Sequence, residues 1–558
     1  MVSLGDFPSS GRFGPHESTL KRIATSKLVR AVVAVALLVG IAFSFVAFRE
    51  TIGLSNDVAK VQDAALEGAG LIAGAIQSSG KNEAVHPNKG RLHLLIPATS
   101  SNVDLCKLVL SAQILGYPTP VFINFGDAEE EDAYIQHLAK VEGILSYLDQ
   151  LETNSEYGED LVFIVDGYDL WLQLRPDVLV KRYYAINQEA DALTEAQFGT
   201  DLFHEHDMRQ TIIFGPDKIC WPIDFSRPAC WAVPQAHLPR YAFGPRTAGN
   251  NEEQHMPKWL NSGTILGPVQ DLRDLFRDTL ELIHVNHVTD SDQYYFAELF
   301  GAQNYARLTH KQSLLNEYKK VRYGDEIGDM SVEVIRDEPD IPLETDKTEY
   351  HIGIDYKSSI FQTLAFWKQY LAWMRPIDSV KIRGLLGDLN YTNLAGNPYE
   401  FDLPEDIQKS ARPFEALQRS DPEGNHDVGW EEVELLYNAI TKEAPVAMHF
   451  TGEKGLRQIW WQRIWFQADA NALRLASSRQ SSDAISDEPI AGMVWYNAEP
   501  EDAEEISMRG KTGAWSDTGG WYPWRKLCRA YEEHMFNVPD DEFFHHDGVV
   551  HPLPQPEG

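Results

Sequence analysis

Cysteine is scarce in this chain: four residues in 558. That is too few for a disulfide scaffold. No Cys-x-x-Cys pair and no Cys/His cluster with zinc spacing occurs, which argues against a structural zinc site. Cys220 and Cys230 bracket a Pro-containing loop, CWPIDFSRPAC, and can pair in an oxidising compartment. Cys106 and Cys528, far apart in sequence, read as buried thiols. Positive charge is also scarce. Lys and Arg number 49 against 83 Asp and Glu, a formal net charge of −34, so a nucleic-acid partner is excluded as an expectation. Internal repeats are lacking too. Long apolar runs are lacking with one exception: Ala31 to Phe48 reads AVVAVALLVGIAFSFVAF, without a charge.

That run, extended by Leu28, Val29 and a snorkelling Arg30, is long enough to cross a bilayer. Lys21, Arg22, Lys27 and Arg30 precede or begin it, which orients residues 1–27 to the cytosol. Its end, FSFVAFRE, has no small-residue cleavage site, so it reads as an uncleaved anchor. The expectation is a single-pass type II protein of the Golgi or endoplasmic reticulum membrane, touching the lipid bilayer through residues 28–48. The body would then be lumenal, and the sequon Asn390-Tyr391-Thr392 usable there. Residues 49–90, small and polar, read as a stem.

What is present is a core. Hydrophobic residues make up 43% of the chain and aromatics 11%, enough for a large packed domain. From Arg91, RLHLLIPATS reads as a strand closed by Pro97. NVDLCKLVLSAQILG comes next as a helix stopped by Gly116, and TPVFINFGD as a second strand. This βαβ start predicts a mostly parallel sheet flanked by helices. The helix IQHLAKVEGILSYLDQL leads into LVFIVDGYDLWL, where an apolar strand ends at Asp166 and Asp169. TIIFGPDKICWP and LNSGTILGP read as strands ending in turns, DLRDLFRDTLELI and SDQYYFAELFG as helices, and APVAMHF as a late strand. The body is placed at 91–460, with surface insertions at about 311–350 and 375–430. Residues 461–558 read as a helical, aromatic extension and tail.

In open parallel sheets ligands bind beyond the carboxyl ends of the strands. Two carboxylates held close there repel unless a cation sits between them. A hard divalent ion, Mn²⁺ or Mg²⁺, takes such ligands and binds a diphosphate as well. Taken alone, a DxxD turn is more often a helix cap beside a solvated acid.

The order of FIVDGYDLWL, IIFGPDKICWP, WLNSGTILGP, DSDQYYFAELF, IDYKSSIFQTL and VAMHFTGEKG resembles the glycosyltransferase domain of the procollagen lysyl hydroxylases and procollagen galactosyltransferases. The resemblance spans about Arg91 to Lys454 and implies a GT-A fold, Rossmann-like, using a UDP-sugar and Mn²⁺. It implies Asp166, Asp169 and His449 as metal ligands, with Gly452 and Lys454 at the diphosphate. Thr99 and Lys140 would lie near the nucleotide, and Asn261, Ser262 and Gly263 near the donor sugar. Asp290 and Asp292 would lie on the acceptor side, with Asp292 favoured as general base because Gln293 comes directly after it. The chain departs from the family where Ser291 interrupts the acidic segment, where Thr264 replaces a glycine, and where Thr451 replaces an asparagine with the lysine one residue closer. No iron-and-oxoglutarate hydroxylase domain is legible. His545, Asp547 and His551 are crowded at the chain end, with no room for intervening strands. Sugar-stacking surfaces are expected from Trp460, Trp461 and Trp465, or from Trp521 and Trp524. The expected activity is hexose transfer to a glycan or protein hydroxyl. The alternative is a membrane-tethered, non-catalytic sugar-binding scaffold on the same fold.

Overall fold

Strand β1, Asn88–Pro97, is the spine of the fold. The computed structural model describes residues 88–126, 133–151, 160–239, 242–244, 251–323, 347–378, 402–477, 484–498 and 511–537. All of these fall in one unit, Pro87–Gly558. The expected anchor at 28–48, the sequon at 390–392 and the His-rich tail lie outside the described residues. No helix among the described residues is long and apolar enough to cross a membrane.

After β1 come α1 (Val103–Leu115), β2 (Val121–Ile123), α2 (Ala133–Leu151), β3 (Leu161–Val165) and β4 (Leu170–Leu172). The side chain of Asn102 accepts from the Leu105 N–H to start α1, and Gly116, at φ 80°, ends it. Next are α3 (Pro176–Phe198), β5 (Ile212–Asp217), β6 (Trp259–Pro268), α4 (Val269–Val285) and α5 (Asp292–Tyr323). Short strands succeed them: β7 (Ile352–Ile354), β8 (Phe361–Thr363), β9 (Leu371–Met374), β10 (Leu435–Asn438) and β11 (Ala447–His449). The last are β12 (Met493–Asn497), β13 (Gly513–Ser516) and β14 (Trp521–Pro523).

The central sheet runs β14-β13-β2-β1-β3-β6-β5-β7, with β12 also paired to β1. Strand β1 is parallel to β2, β3 and β12, while β6 is antiparallel to both β3 and β5. The result is a mixed, largely parallel sheet flanked by helices, as the βαβ pattern predicted. Side chains alternate strictly along its centre. Leu92, Leu94, Ile96, Leu161, Phe163 and Val165 pack on one face with α1 and α3. Leu95, Val162 and Ile164 pack on the other with α2, α4 and α5. A strand buried on both faces must be apolar throughout, which is why LVFIV shows no polar alternation.

Several boundaries differ from the expectation. Among the described residues the body begins with β1 at Asn88, so residues 88–90 of the expected stem belong to a strand. Helix α5 runs on through Tyr323, past the expected insertion boundary. In the second expected insertion, Leu403, Ile407, Leu417 and Trp430 are buried in the main core, so residues 402–430 are structural. The C-terminal extension supplies β12 and β13 to the central sheet rather than an appendage. Cys106 and Cys528 are not thiols but a disulfide spanning 422 residues of sequence, and Cys220 and Cys230 are bonded as well.

Candidate metal centre

Asp166 comes directly after β3, and Gly167 lets the chain turn there. A Cβ on Gly167 would lie 2.8 Å from the Pro97 carbonyl oxygen, so no larger residue fits. No helix succeeds this turn, and neither acid is a helix cap. The chain instead continues into β4, which pairs antiparallel with β11 in the register Leu170↔His449. The Phe450 N–H donates to the Asp169 carbonyl at 2.7 Å. A backbone ladder therefore carries the late imidazole to the early carboxylates, from opposite halves of the sequence.

The three side chains converge. One ligand atom from each of Asp166, Asp169 and His449 lies within 4.8 Å of the other two. His449 Nε2 is 3.4 Å from Asp169 Oδ1 and 3.9 Å from Asp166 Oδ2. Exposure falls from 36% at Asp166 to 13% at Asp169 and 3% at His449, so the group opens to solvent on the Asp166 side. Burial alone would lower the His449 pKa, but the Asp169 and Asp166 carboxylates outweigh it and the net shift is upward. Burial would likewise raise the Asp169 pKa, yet His449 and Lys454 hold it below the usual carboxylate value. The imidazole and the Asp169 carboxylate thus favour one another's charged forms. Two carboxylates and one imidazole, with one side open, suit a hard or borderline divalent cation.

Strand β6 forms the floor. Asn261, Ser262 and Gly263 are not a terminal turn, as the sequence suggested, but lie inside this ten-residue strand. The pairing with β5 shifts register at Phe214/Gly215, opposite this stretch, so the strand continues through an irregularity rather than ending. The Asp166 N–H donates to the Gly263 carbonyl at 2.9 Å. A Cβ at Gly263 would sit 2.5 Å from Asp166 Oδ2 and closer still to His449 Cε1. Glycine is required there for the ligands to meet.

A cleft of about 480 Å³ opens above the three ligands. It is lined by Thr99, Lys140, Asp166, Asp169, Asn261, Ser262, Gly263, Asp292, His449, Gly452 and Lys454, all expected from the sequence. Lys140, on α2, bridges the two sides: Nζ is 3.1 Å from Asp166 Oδ1 and 2.8 Å from Asp292 Oδ2. Burial would strip this ammonium of its proton, but the two carboxylates outweigh it and its pKa stands above the ordinary lysine value. Lys454 Nζ is 3.4 Å from Asp169 Oδ2 and is largely exposed. Gly452 has φ 75°. Asp292 begins α5 and is buried; the next residue, Gln293, accepts from Asn261 Nδ2 and the Ser262 N–H, both at 3.4 Å. Asp290 does not join the group. It pairs with His287 at 3.0 Å and is not among the residues lining the cleft.

Some cleft residues were not singled out from the sequence. The Tyr168 hydroxyl accepts from the Thr99 and Ser100 N–H groups, at 2.9 and 3.0 Å, and donates to the Ser100 carbonyl. Arg457, which does not line the cleft, donates to the Tyr168 carbonyl and pairs with Asp104 at 3.0 Å. Trp221 lines the cleft and is 51% exposed. Tyr168 sits inside the DGYD turn, and Arg457 one turn after Lys454, but neither position carries a spacing rule. Four of the five tryptophans expected to stack on sugars behave otherwise: Trp460, Trp461, Trp465 and Trp524 are buried, while Trp521 is half-buried on β14 and does not line the cleft. Trp461 Nε1 donates to the Met535 carbonyl and Trp465 Nε1 to the Gln173 carbonyl, which makes them core. The chain matches no protein-family model, and a search of curated proteins found no match.

Proposed function

We propose that this protein is a metal-dependent glycosyltransferase of GT-A architecture. It would move a hexose from a UDP-sugar to a hydroxyl of a glycan or protein acceptor in the lumen of the secretory pathway. The observation that carries this reading is the convergence of Asp166, Asp169 and His449 at a sheet end beneath a lysine-bearing cleft. Mn²⁺, or Mg²⁺ in its place, is the cation proposed for these ligands. When bound, it would offset the negative charge that develops on a departing diphosphate.

The remaining roles fall to the chain's own groups. Lys454 offers an exposed ammonium to the diphosphate beside Asp169. Thr99 and its neighbours, held by Tyr168, form a wall for the nucleoside. Asn261, Ser262 and Gly263 are the proposed contacts for the donor sugar. Asp292 presents a carboxylate from the first turn of α5, placed to take the proton of an incoming hydroxyl. Hydrolysis of phosphoesters by two metals would need a second ligand set. Among the described residues, Asp166, Asp169 and His449 are the one group with that geometry.

UDP release from a panel of UDP-sugars, with and without Mn²⁺, tests the reading. It should occur with one or few donors, depend on Mn²⁺, and fall at least about 100-fold in Asp169→Ala. Sugar binding without turnover in the wild type would favour the scaffold alternative instead.

A further inference from the structure

One wall of the cleft is backed, though not lined, by residues of the C-terminal segment 515–531. Pro97 to Thr99 and Ile123 to Asn124 line it, at the carboxyl ends of β1 and β2. Asn124 holds φ 61°, a left-handed conformation that asparagine tolerates better than most residues and that its contacts fix here. Two contacts do so. Its N–H donates to Asp517 Oδ2 at 2.8 Å, and its side-chain Nδ2 donates to the Ala139 carbonyl at 3.1 Å. Ala139 immediately precedes Lys140, the cation that bridges Asp166 and Asp292. Asp517 is itself fixed by its own N–H, which donates to the Phe122 carbonyl at 2.9 Å.

The same C-terminal segment reaches the other half of the wall. The Ser101 hydroxyl donates to the Leu527 carbonyl at 2.5 Å, and the Tyr531 hydroxyl donates to the Ser101 carbonyl at 3.1 Å. Strand β13 lies parallel to β2, and the Cys106–Cys528 bond closes the arrangement behind α1. The carboxyl-end segments after β1 and β2 are thus propped from outside by residues 515–531. None of these props touches Asp166, Asp169 or His449.

We infer that this C-terminal segment is a positioning element for the nucleoside half of the donor, acting through Asp517 on Asn124 and through Tyr531 on Ser101. The inference rests on the UDP-sugar reading. It divides the cleft into two independently supported parts: a metal end fixed by the β4–β11 ladder, and a nucleoside wall fixed by the end of the chain. Asp517 acts through Asn124 and is a positioning residue, not a catalytic one.

The test uses the full chain and two probes, Mn²⁺ alone detected by electron paramagnetic resonance, and UDP titrated calorimetrically at saturating Mn²⁺. Asp517→Ala should weaken UDP binding about tenfold, the scale of one lost hydrogen bond from a charged acceptor to a half-buried donor, with Mn²⁺ affinity unchanged. Asp517→Asn keeps an acceptor oxygen and should restore most of the affinity. Tyr531→Phe, a change that folds readily, should weaken UDP binding about threefold, again without moving Mn²⁺. Unchanged UDP affinity in both Asp517→Ala and Tyr531→Phe would overturn the inference while leaving the enzyme reading intact. Parallel loss of Mn²⁺ and UDP would also overturn it, because the segment would then be a general scaffold. A wild type that binds Mn²⁺ but not UDP would sink the nucleotide reading and the inference with it.

Discussion

Gly263 decides how closely the early and late halves of the chain approach one another. A single added methyl would collide with both Asp166 and His449, and because backbone pairing holds both partners, neither can swing aside freely. Gly263→Ala should therefore weaken Mn²⁺ binding by about 10- to 100-fold, the range typical for disturbed ligand orientation. Circular dichroism should show the fold intact, and unaltered Mn²⁺ affinity would mean the ligands do not need this approach. His449 carries a second prediction. An imidazole must be neutral to ligate, and the flanking carboxylates raise its pKa above the ordinary 6.5. As pH falls through that raised value, protons displace the cation, so Mn²⁺ affinity should drop on acidification, with the loss beginning above the ordinary imidazole value. A flat profile would indicate that His449 is not a ligand. At this scale the sequence was informative where residue type dictates chemistry: two acids at a strand end, a late histidine, a lysine after it. It was silent on Tyr168 and Arg457, whose roles come from carbonyl and N–H groups that only the fold brings near.

Strand β4 is three residues long, yet its pairing with β11 does more for the site than any longer element. Beside the metal-ligand reading, the sequence also allowed a turn leading to a capped helix, because Asp and Gly favour both turns and caps. The chain forms a short strand there instead, buried on all three residues, whose partner is set by long-range pairing that no local pattern encodes. The same physics hid β12 and β13. Short strands that pair with β1 and β2 from the far end of the chain carry no periodicity long enough to read. The aromatic patches misled for a related reason, since IWWQRIWF packs inward and the indole N–H groups of Trp461 and Trp465 donate to backbone carbonyls. The first βαβ unit, by contrast, was legible because its helix has a capping Asn102 and a stopping Gly116. The Cys106–Cys528 bond joins this unit to the C-terminal segment across 422 residues of sequence. Replacing both cysteines with serine should lower stability by about 2–5 kcal/mol in thermal or chemical denaturation. An unchanged unfolding midpoint would show that packing alone holds the segment.

The molecule as a whole is strongly acidic, with a net charge of −34, yet it is proposed to bind a dianionic nucleotide. The conflict is resolved locally. Lys140 and Lys454 lie in the cleft, each paired to an acid of the proposed site, and a divalent ion would add the remaining positive charge. The long apolar run at residues 31–48 would tether this acidic body to a bilayer, and it is the part of the proposal carried by sequence alone. The most direct test is a crystal of the protein soaked with Mn²⁺ and UDP, read by manganese anomalous scattering. A peak within about 2.3 Å of His449 Nε2 and of one oxygen each from Asp166 and Asp169, touching the diphosphate, is the expected result. Manganese bound elsewhere, or bound with His449 beyond coordinating distance, would contradict it.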